Sequence, residues 1–549
     1  MKTLKKEFKK AKPLSSLLKK NRQLENSRFD NNLGGEENEN DFSRNLEDNM
    51  AKMKEIMGET SDLLEREFTL NRSPFIKGVL YYVNGLVDEK LVSEFMLQTL
   101  LNNNLNIEED LNELPMESLV EIIQKQILTV TEVELETDWD KIIHAILSGK
   151  SILFVEGANK AFVGATMGGE WRSVEEPTAE ITVRGPKDSF IESVYTNMAL
   201  IRRRIKSPKM QFEVFQLGKV SQTDVAIVYM DGIVNIKLVK EVRKRLNKID
   251  VDEILSSSSV EELIQDSSFT VFPTVFTSER PDTVTNSIAE GRIGIIVDGT
   301  PFVLVVPITF SQFFKAAEDY YQRFDISTLI RILRYIAFTL ALLGPSLFIA
   351  LLTFHQDLIP TTLVITLAAQ RSGIPFPAVI EAFIMEVTFE ILREAGIRMP
   401  RSIGQAVSIV GALVIGQAAV EAGIVSAAMI IVVAGTAIAS FTTPAYNMAV
   451  AARILRFGMM ILAATMGLYG ITLGLIILVA HLASLRSFGT PYLAPFAPLI
   501  PEDQKDGLFR FPLWTRNSNN LKPKGNNPLK TERGLKASSS TVEEGPENG

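Results

Sequence analysis

Two blocks of this chain, Tyr335–Leu352 and Phe457–Leu482, contain no charged residue. Apolar helices of about 20 residues cross the hydrocarbon core of a bilayer. Between these blocks, Ile374–Pro400 reads IPFPAVIEAFIMEVTFEILREAGIRMP and sets Glu381, Glu386, Glu390, Arg393 and Glu394 in apolar surroundings. Ionisable groups at membrane depth are expensive, so they face protein, a water-filled path or the interface rather than lipid. The expected fold therefore ends in an all-α polytopic membrane domain with a polar element inside it. Function narrows to transport, conduction or signalling.

Averaged over 549 residues, 46% hydrophobic and 22% charged describe an ordinary soluble protein, because a soluble N-terminal region precedes the apolar one. The net charge of −8 comes with no sustained basic face, so no nucleic-acid partner is expected. Cysteine is absent and the three histidines (His144, His355, His481) are far apart, so disulfides, thiolate sites and His-based metal centres are not expected. The first twenty residues carry eight lysines without an apolar core, which reads as a basic arm rather than a signal peptide. With the Asn/Glu-rich stretch that follows, residues 1–50 are expected to be disordered and to touch anionic lipid at most.

The soluble region repeats itself. Val79–Leu100 (VLYYVNGLVDEKLVSEFMLQTL) aligns with Val225–Leu246 (VAIVYMDGIVNIKLVKEVRKRL), with Asn84-Gly85 on Asp231-Gly232. Each copy reads as a β-rich run, a turn, and a cap residue (Asp88 or Asn235) opening an amphipathic helix. Later in each copy, Glu156-Gly157 and Asp298-Gly299 interrupt apolar runs and predict hairpins. Ile293–Val306 is thereby assigned to a buried hairpin and not to a membrane span. Two related tandem α/β subdomains are expected, 60–165 and 210–320, joined by a polar junction at 166–209. Its helix is predicted from Asp188 to Ile205, and Glu176, Arg184, Glu192, Arg202, Arg203 and Arg204 are candidates for a subdomain or subunit interface.

The membrane domain, 326–485, offers apolar stretches at Thr328–Phe354, Leu358–Gln370, Pro375–Ala395, Ser402–Ala422, Ile424–Phe441 and Phe457–Leu482, followed by a largely disordered tail, 486–549. Arg331 and Arg334, and Arg453 and Arg456, read as positive flanks on the cytoplasmic side. Five crossings would put the basic tail outside and an even number inside, so one stretch is expected to be re-entrant. On a helical wheel Glu386, Glu390, Arg393 and Glu394 share a face, with Glu381 nearly opposite. That face suits either an interfacial helix or a charged pore mouth. Val407, Val410, Val414, Gln417 and Glu421 form a stripe on the next helix, either packing core or a hydrophobic gate with a polar mouth.

Ser148-Gly149-Lys150-Ser151 ends like a phosphate-binding loop, but His144 stands where that loop needs glycine. No catalytic motif and no cofactor site are found.

Glu176-Pro177, Val183-Arg184-Gly185-Pro186, Arg202-Arg203-Arg204-Ile205, Glu279-Arg280-Pro281-Asp282, Val297-Asp298-Gly299-Thr300-Pro301, Pro375-Phe376-Pro377, Arg393-Glu394-Ala395-Gly396 and Ser487-Phe488-Gly489-Thr490-Pro491-Tyr492 occur in order. Together they resemble the signature of GerA-type spore germination proteins, specifically the germinant receptor A subunit, over residues 50 to 516. Ser256–Ser259 departs from that pattern, where a Gly- or Asp-containing turn is expected. The resemblance implies the inner membrane of an endospore, a transporter-like B subunit and a lipoprotein C subunit as partners, and a homo-oligomer, a pentamer, forming a nutrient-gated ion channel. A SpoVA-associated GerA-like accessory subunit, a secondary transporter and a non-conducting scaffold are the alternatives.

Overall fold

The structure is a computed structural model that describes residues 42–70, 76–93, 133–168, 177, 180–399, 414–500 and 506–512. Apolar residues of Leu46–Met57 (α1) recur at helical spacing, and Leu46, Met53 and Met57 are buried. Asn45 caps this helix by accepting from Glu47 N–H. Phe42, inside the segment expected to be a disordered arm, packs on Trp139 and Phe154.

Leu63–Leu70 (β1) pairs antiparallel with Ile76–Val83 (β2) along its whole length. Val133–Glu136 (β3), Ser151–Val155 (β4) and Ala161–Gly164 (β5) complete a sheet of order β1-β2-β4-β5-β3. The helix Trp139–Ile146 (α2), capped by Asp138, buries Trp139, Ile142, Ile143 and Ile146 beneath it. A second sheet repeats this plan with Met210–Leu217 (β6), Thr223–Met230 (β7), Phe276–Ser278 (β8), Ile293–Val297 (β9) and Val303–Val306 (β10), in the order β6-β7-β9-β10-β8. Both glycine turns close the expected hairpins, β4–β5 and β9–β10. Every residue of β9 and β10 is buried, which explains an apolar run that is not a membrane span.

The helix Val194–Arg204 (α3) sits between the sheets, contributing Val194, Met198 and Ile201 to one core and Ala199 to the other. It starts six residues later than the sequence predicts, where Ser193 accepts from Thr196 N–H. Ile236–Asn247 (α4), capped by Asn235, and Ser257–Ile264 (α5) cover one face of the second sheet. The serine run that departs from the family pattern opens α5. Pro281–Ala289 (α6) covers the other face with α3.

After a short helix, Glu318–Tyr321 (α7), the chain enters Phe324–Thr353 (α8), then Thr361–Arg371 (α9), Ala378–Arg398 (α10), Ala427–Phe441 (α11) and Tyr446–Ser484 (α12). Among the described residues, α8 and α12 are long and apolar enough to cross a membrane. Contacts order them: Ala341 clusters with Ala439 and Leu352 with Ala428, so α11 runs antiparallel to α8. α12 breaks at Gly467, with φ 60° and ψ −138°, a conformation that L side chains rarely adopt. Beyond the break the chain folds back, and a Cβ on Gly474 would sit 2.6 Å from Met459 Sδ. Met448 and Leu482, at the two ends of α12, share one core with Phe338 and the second sheet. The apolar core is therefore continuous from the α/β region into the bundle.

This hairpin returns residues 486–500 and 506–512 to the α/β end of the molecule. Arg486–Ser487 (β11) pairs with Thr490–Pro491 (β12), Tyr492 is fully buried, and Phe310 N–H donates to Tyr492 carbonyl at 2.7 Å. The first part of the tail is thus packed structure rather than a disordered extension.

Candidate functional site

The charges within the helical region pair with one another. Arg456 Nη1 on α12 lies 2.5 Å from Glu386 Oε2 on α10, both side chains 4% exposed. Thr436 hydroxyl on α11 donates to the other oxygen of Glu386, and Arg456 Nε donates to Ala341 carbonyl on α8 at 2.6 Å. One turn along, Arg453 pairs with Glu390. At the opposite end of α10, Glu381 is fully buried, accepts from the backbone and hydroxyl of Ser426, and lies 3.6 Å from Arg371. Arg393 Nη2 donates to Ser440 hydroxyl at 2.7 Å, with its guanidinium over the rings of Phe389 and Phe441. A ladder of ionisable groups thus runs across three helices, α9, α10 and α12. The pairs of Glu386 and Glu390 are made within one chain, so neither of these two glutamates needs lipid to satisfy it.

A second network fixes the bundle to the α/β region. Asp319 is 2% exposed, 2.9 Å from Arg331 and 2.7 Å from Arg334. Asp506, from the tail, takes Arg331 at 3.2 Å, Lys315 at 3.0 Å and Tyr320 hydroxyl at 2.9 Å. Burial pulls the proton affinity of Lys315 down while Asp506 opposes it. Arg331 and Arg334, read from sequence as flanking charges, are also buried in ion pairs, and Arg456 lies inside the bundle.

At the junction of the subdomains, Arg202 is fully buried and bidentate to Asp62, Nε at 2.7 Å and Nη2 at 2.8 Å, so α3 is bolted to the start of β1. Arg204 pairs with Asp188 at 2.5 Å, and Arg203 reaches Gly85 carbonyl at 3.5 Å. Glu192 is exposed and its carbonyl accepts from Gly299 N–H, while Arg184 is exposed. Nearby, Glu180 accepts from Ser278 hydroxyl at 2.6 Å, and burial pushes its carboxyl up to about 7. Arg280 ties this segment down through Glu180 carbonyl, Thr182 hydroxyl, Pro186 carbonyl and Asp282.

Glu176, Val407 and Val410 lie outside the described residues. Residues 414–421 are helical, Val414 is 57% exposed, and Gln417 amide donates to Glu421 at 3.0 Å on an exposed face. The sequence reading missed Arg453 and Arg456 as partners of the glutamates. Their spacing of three residues on an otherwise uncharged helix matches the spacing of four between Glu386 and Glu390, and that match was the available signal.

Comparison with known proteins turns this arrangement into a family assignment. The model for the Bacillus/Clostridium GerA spore germination protein family matches residues 51–521. The chain belongs to the GerA family. Among its relatives, spore germination protein KA of Bacillus subtilis (strain 168) is 48% identical over 473 residues, 86% of each chain. Spore germination protein A1 of the same organism is 38% identical over 86% of this chain and 95% of its own. An uncharacterized membrane protein of B. subtilis, YfkQ, is 43% identical over 86% of this chain and 90% of its own. The crystal structure of the N-terminal domain of the A subunit of the Bacillus megaterium spore germinant receptor GerK3 is 36% identical, covering 49% of this chain and 97% of that one, with a TM-score of 0.38. For this GerA-family chain the two-sheet α/β region followed by apolar helices is the architecture, and the spore germination A subunits are its kin.

Proposed function

We propose that this chain acts as the A subunit of a germinant receptor in the inner membrane of a spore, and that copies of it, five to a ring, enclose a nutrient-gated ion path. A transporter-like B subunit that senses the nutrient and a lipoprotein C subunit complete the assembly. The observation that carries this reading is the ladder of ionisable pairs inside the bundle. Buried ion pairs contribute little net stability compared with apolar packing, so a series of them marks an element whose arrangement matters more than its stability. In this reading Glu386 and Glu390 hold α10 and α12 in one register, and a liganded partner favours a second register by binding it more tightly. The exposed face bearing Val414, Gln417 and Glu421 lines the path, with Val407 and Val410 as its narrow part.

Conductance of the purified oligomer in a planar bilayer, with and without the partner subunits, tests this. Nutrient-dependent currents are expected only with the partners present. Silence in every combination, with an intact oligomer in the membrane, counts against the channel and for a scaffold.

A further inference from the structure

Two segments from outside the bundle are bonded to the ends of its long apolar helices, and each presents aromatic side chains at the surface. The first is the loop after α5, Gln265-Asp266-Ser267-Ser268-Phe269-Thr270-Val271-Phe272. It is held along its length. Arg245 lies 2.6 Å from Asp266, Phe488 N–H donates to the other carboxylate oxygen, and Phe272 is buried in the core that includes Leu482. Thr270 hydroxyl is 3.0 Å from Nε2 of His481, in the last turn of α12. Phe269 lies between these anchors and is nonetheless fully exposed. The second segment belongs to the tail. Arg510 is buried, and its backbone N–H donates to Thr328 hydroxyl near the start of α8 at 3.1 Å. Phe509 and Phe511, on either side of it, are 44% and 45% exposed.

Helix length sets the depth of both contacts. The 30 residues of α8 rise about 45 Å, against about 30 Å of hydrocarbon core. The charge-free block begins at Tyr335, so Thr328, two turns earlier, stands at headgroup level. On α12 the exposed apolar face carrying Ile476 and Val479 runs up to His481, where the chain leaves the bundle. A lone exposed apolar side chain is ordinary on a water-facing surface. Here exposed aromatics stand at the same end of both long helices, and the apolar faces of those helices lead to them, through Ile326 and Leu329 on α8. Ser267, Ser268 and Thr270 surround Phe269 with polar groups. One apolar side chain among polar neighbours suits the headgroup boundary, whereas the centre of a subunit interface is broadly apolar.

We propose that both segments are bilayer contacts, with Phe269 entering the lipid headgroup layer beside α12, and Phe509 with Phe511 entering it beside α8. The partner is the lipid surface itself, met through apolar side chains, so no anionic headgroup is required. The α/β region is thereby seated on the membrane at two points. This rests on α8 and α12 crossing the bilayer and not on ion conduction.

The test uses the cysteine-free full chain in phosphatidylcholine vesicles, with one introduced cysteine at a time carrying an NBD fluorophore. Ser268→Cys and Phe511→Cys report on the two contacts. Ile476→Cys reports on the middle of the second arm of α12, and Val220→Cys on the exposed β6–β7 turn. Lipids with a doxyl quencher near the headgroup are expected to remove most of the emission at the Ser268 and Phe511 positions and little at Val220. A quencher at the end of the acyl chain should act best at Ile476. Adding Phe269→Asp to Ser268→Cys should abolish the quenching there, and quenching unchanged by it overturns Phe269 as the anchor. Labels at Ser268 and Phe511 that emit as in water and resist quenching, while Ile476 is quenched, overturn the contacts and leave the spanning helix in place. A blue-shifted but unquenched label at those positions means that a second copy of the chain covers them, which overturns lipid as the partner. Absence of quenching at Ile476 as well overturns the spanning helix and the contacts together.

Discussion

Arg456 reaches Glu386 at 2.5 Å in the middle of the helical region, and its Nε at the same time holds Ala341 carbonyl on α8. One guanidinium thus joins three helices. Removing one partner of a buried pair leaves the other charge uncompensated, which costs about 3–5 kcal/mol. Glu386→Gln and Arg456→Gln should each lower the thermal unfolding midpoint in detergent. The double change Glu386→Leu/Arg456→Met should recover much of the loss. Single variants as stable as wild type would show that the pair is not formed.

The tail is clamped through Arg331, which touches both Asp319 and Asp506. Asp506→Asn leaves Asp319 in place and should release the tail without unfolding the bundle. Limited proteolysis should then cut after residue 500, while α8, α12 and the segment around the buried Tyr492 stay protected. A digestion pattern identical to wild type would contradict the clamp.

Glu180 is one source of pH dependence, beside Glu261, whose carboxyl burial also raises to about 7. Burial raises the Glu180 carboxyl from 4.5 to about 7, so between those values the folded chain binds the proton and the unfolded chain does not. Its contribution is complete below the unfolded value and is lost as pH rises through the folded one, a difference worth about 3 kcal/mol at most. Glu180→Gln mimics the protonated form. The variant should gain stability over wild type at pH 8 and match it at pH 5. Parallel unfolding curves for the two across that range would place the pH dependence elsewhere.

Gly467 makes the turn in α12, and a Cβ there would approach His355 Cε1 to 2.7 Å and Phe354 Cβ to 2.9 Å. Gly467→Ala should therefore cost on the order of 1–2 kcal/mol from the left-handed backbone alone, and more from the contact. The same hairpin predicts topology. The chain contains no cysteine, so single cysteines report cleanly. Glu253→Cys and Leu499→Cys should react with an impermeant maleimide from one face of the membrane, and Tyr469→Cys from the other. Labelling of Leu499→Cys from the Tyr469 side would mean that α12 crosses once.

Much of the α/β region is readable from the chain itself. Asn235 and Asp138 cap helices, Glu156-Gly157 and Asp298-Gly299 turn hairpins, and the repeat of one motif yields two sheets of one strand order. These signals are local, set by backbone conformations and side-chain periods that a few neighbouring residues decide. The start of α3 is not legible locally, because Ser193 competes as a cap with the charged residues before it, and packing between the sheets settles the choice.

In the membrane part, the order of residues determined which stretches are apolar and that ionisable groups lie among them. It could not determine that Glu386 meets Arg456 across 70 positions, or that Gly467 folds one apolar run into two and brings the tail back to Arg331. A charge in an apolar stretch states a debt of solvation that something must satisfy, and hydropathy carries no information on what that is. Whether the creditor is water, lipid or another helix is decided by tertiary packing, because only packing fixes which side chains come within hydrogen-bonding distance.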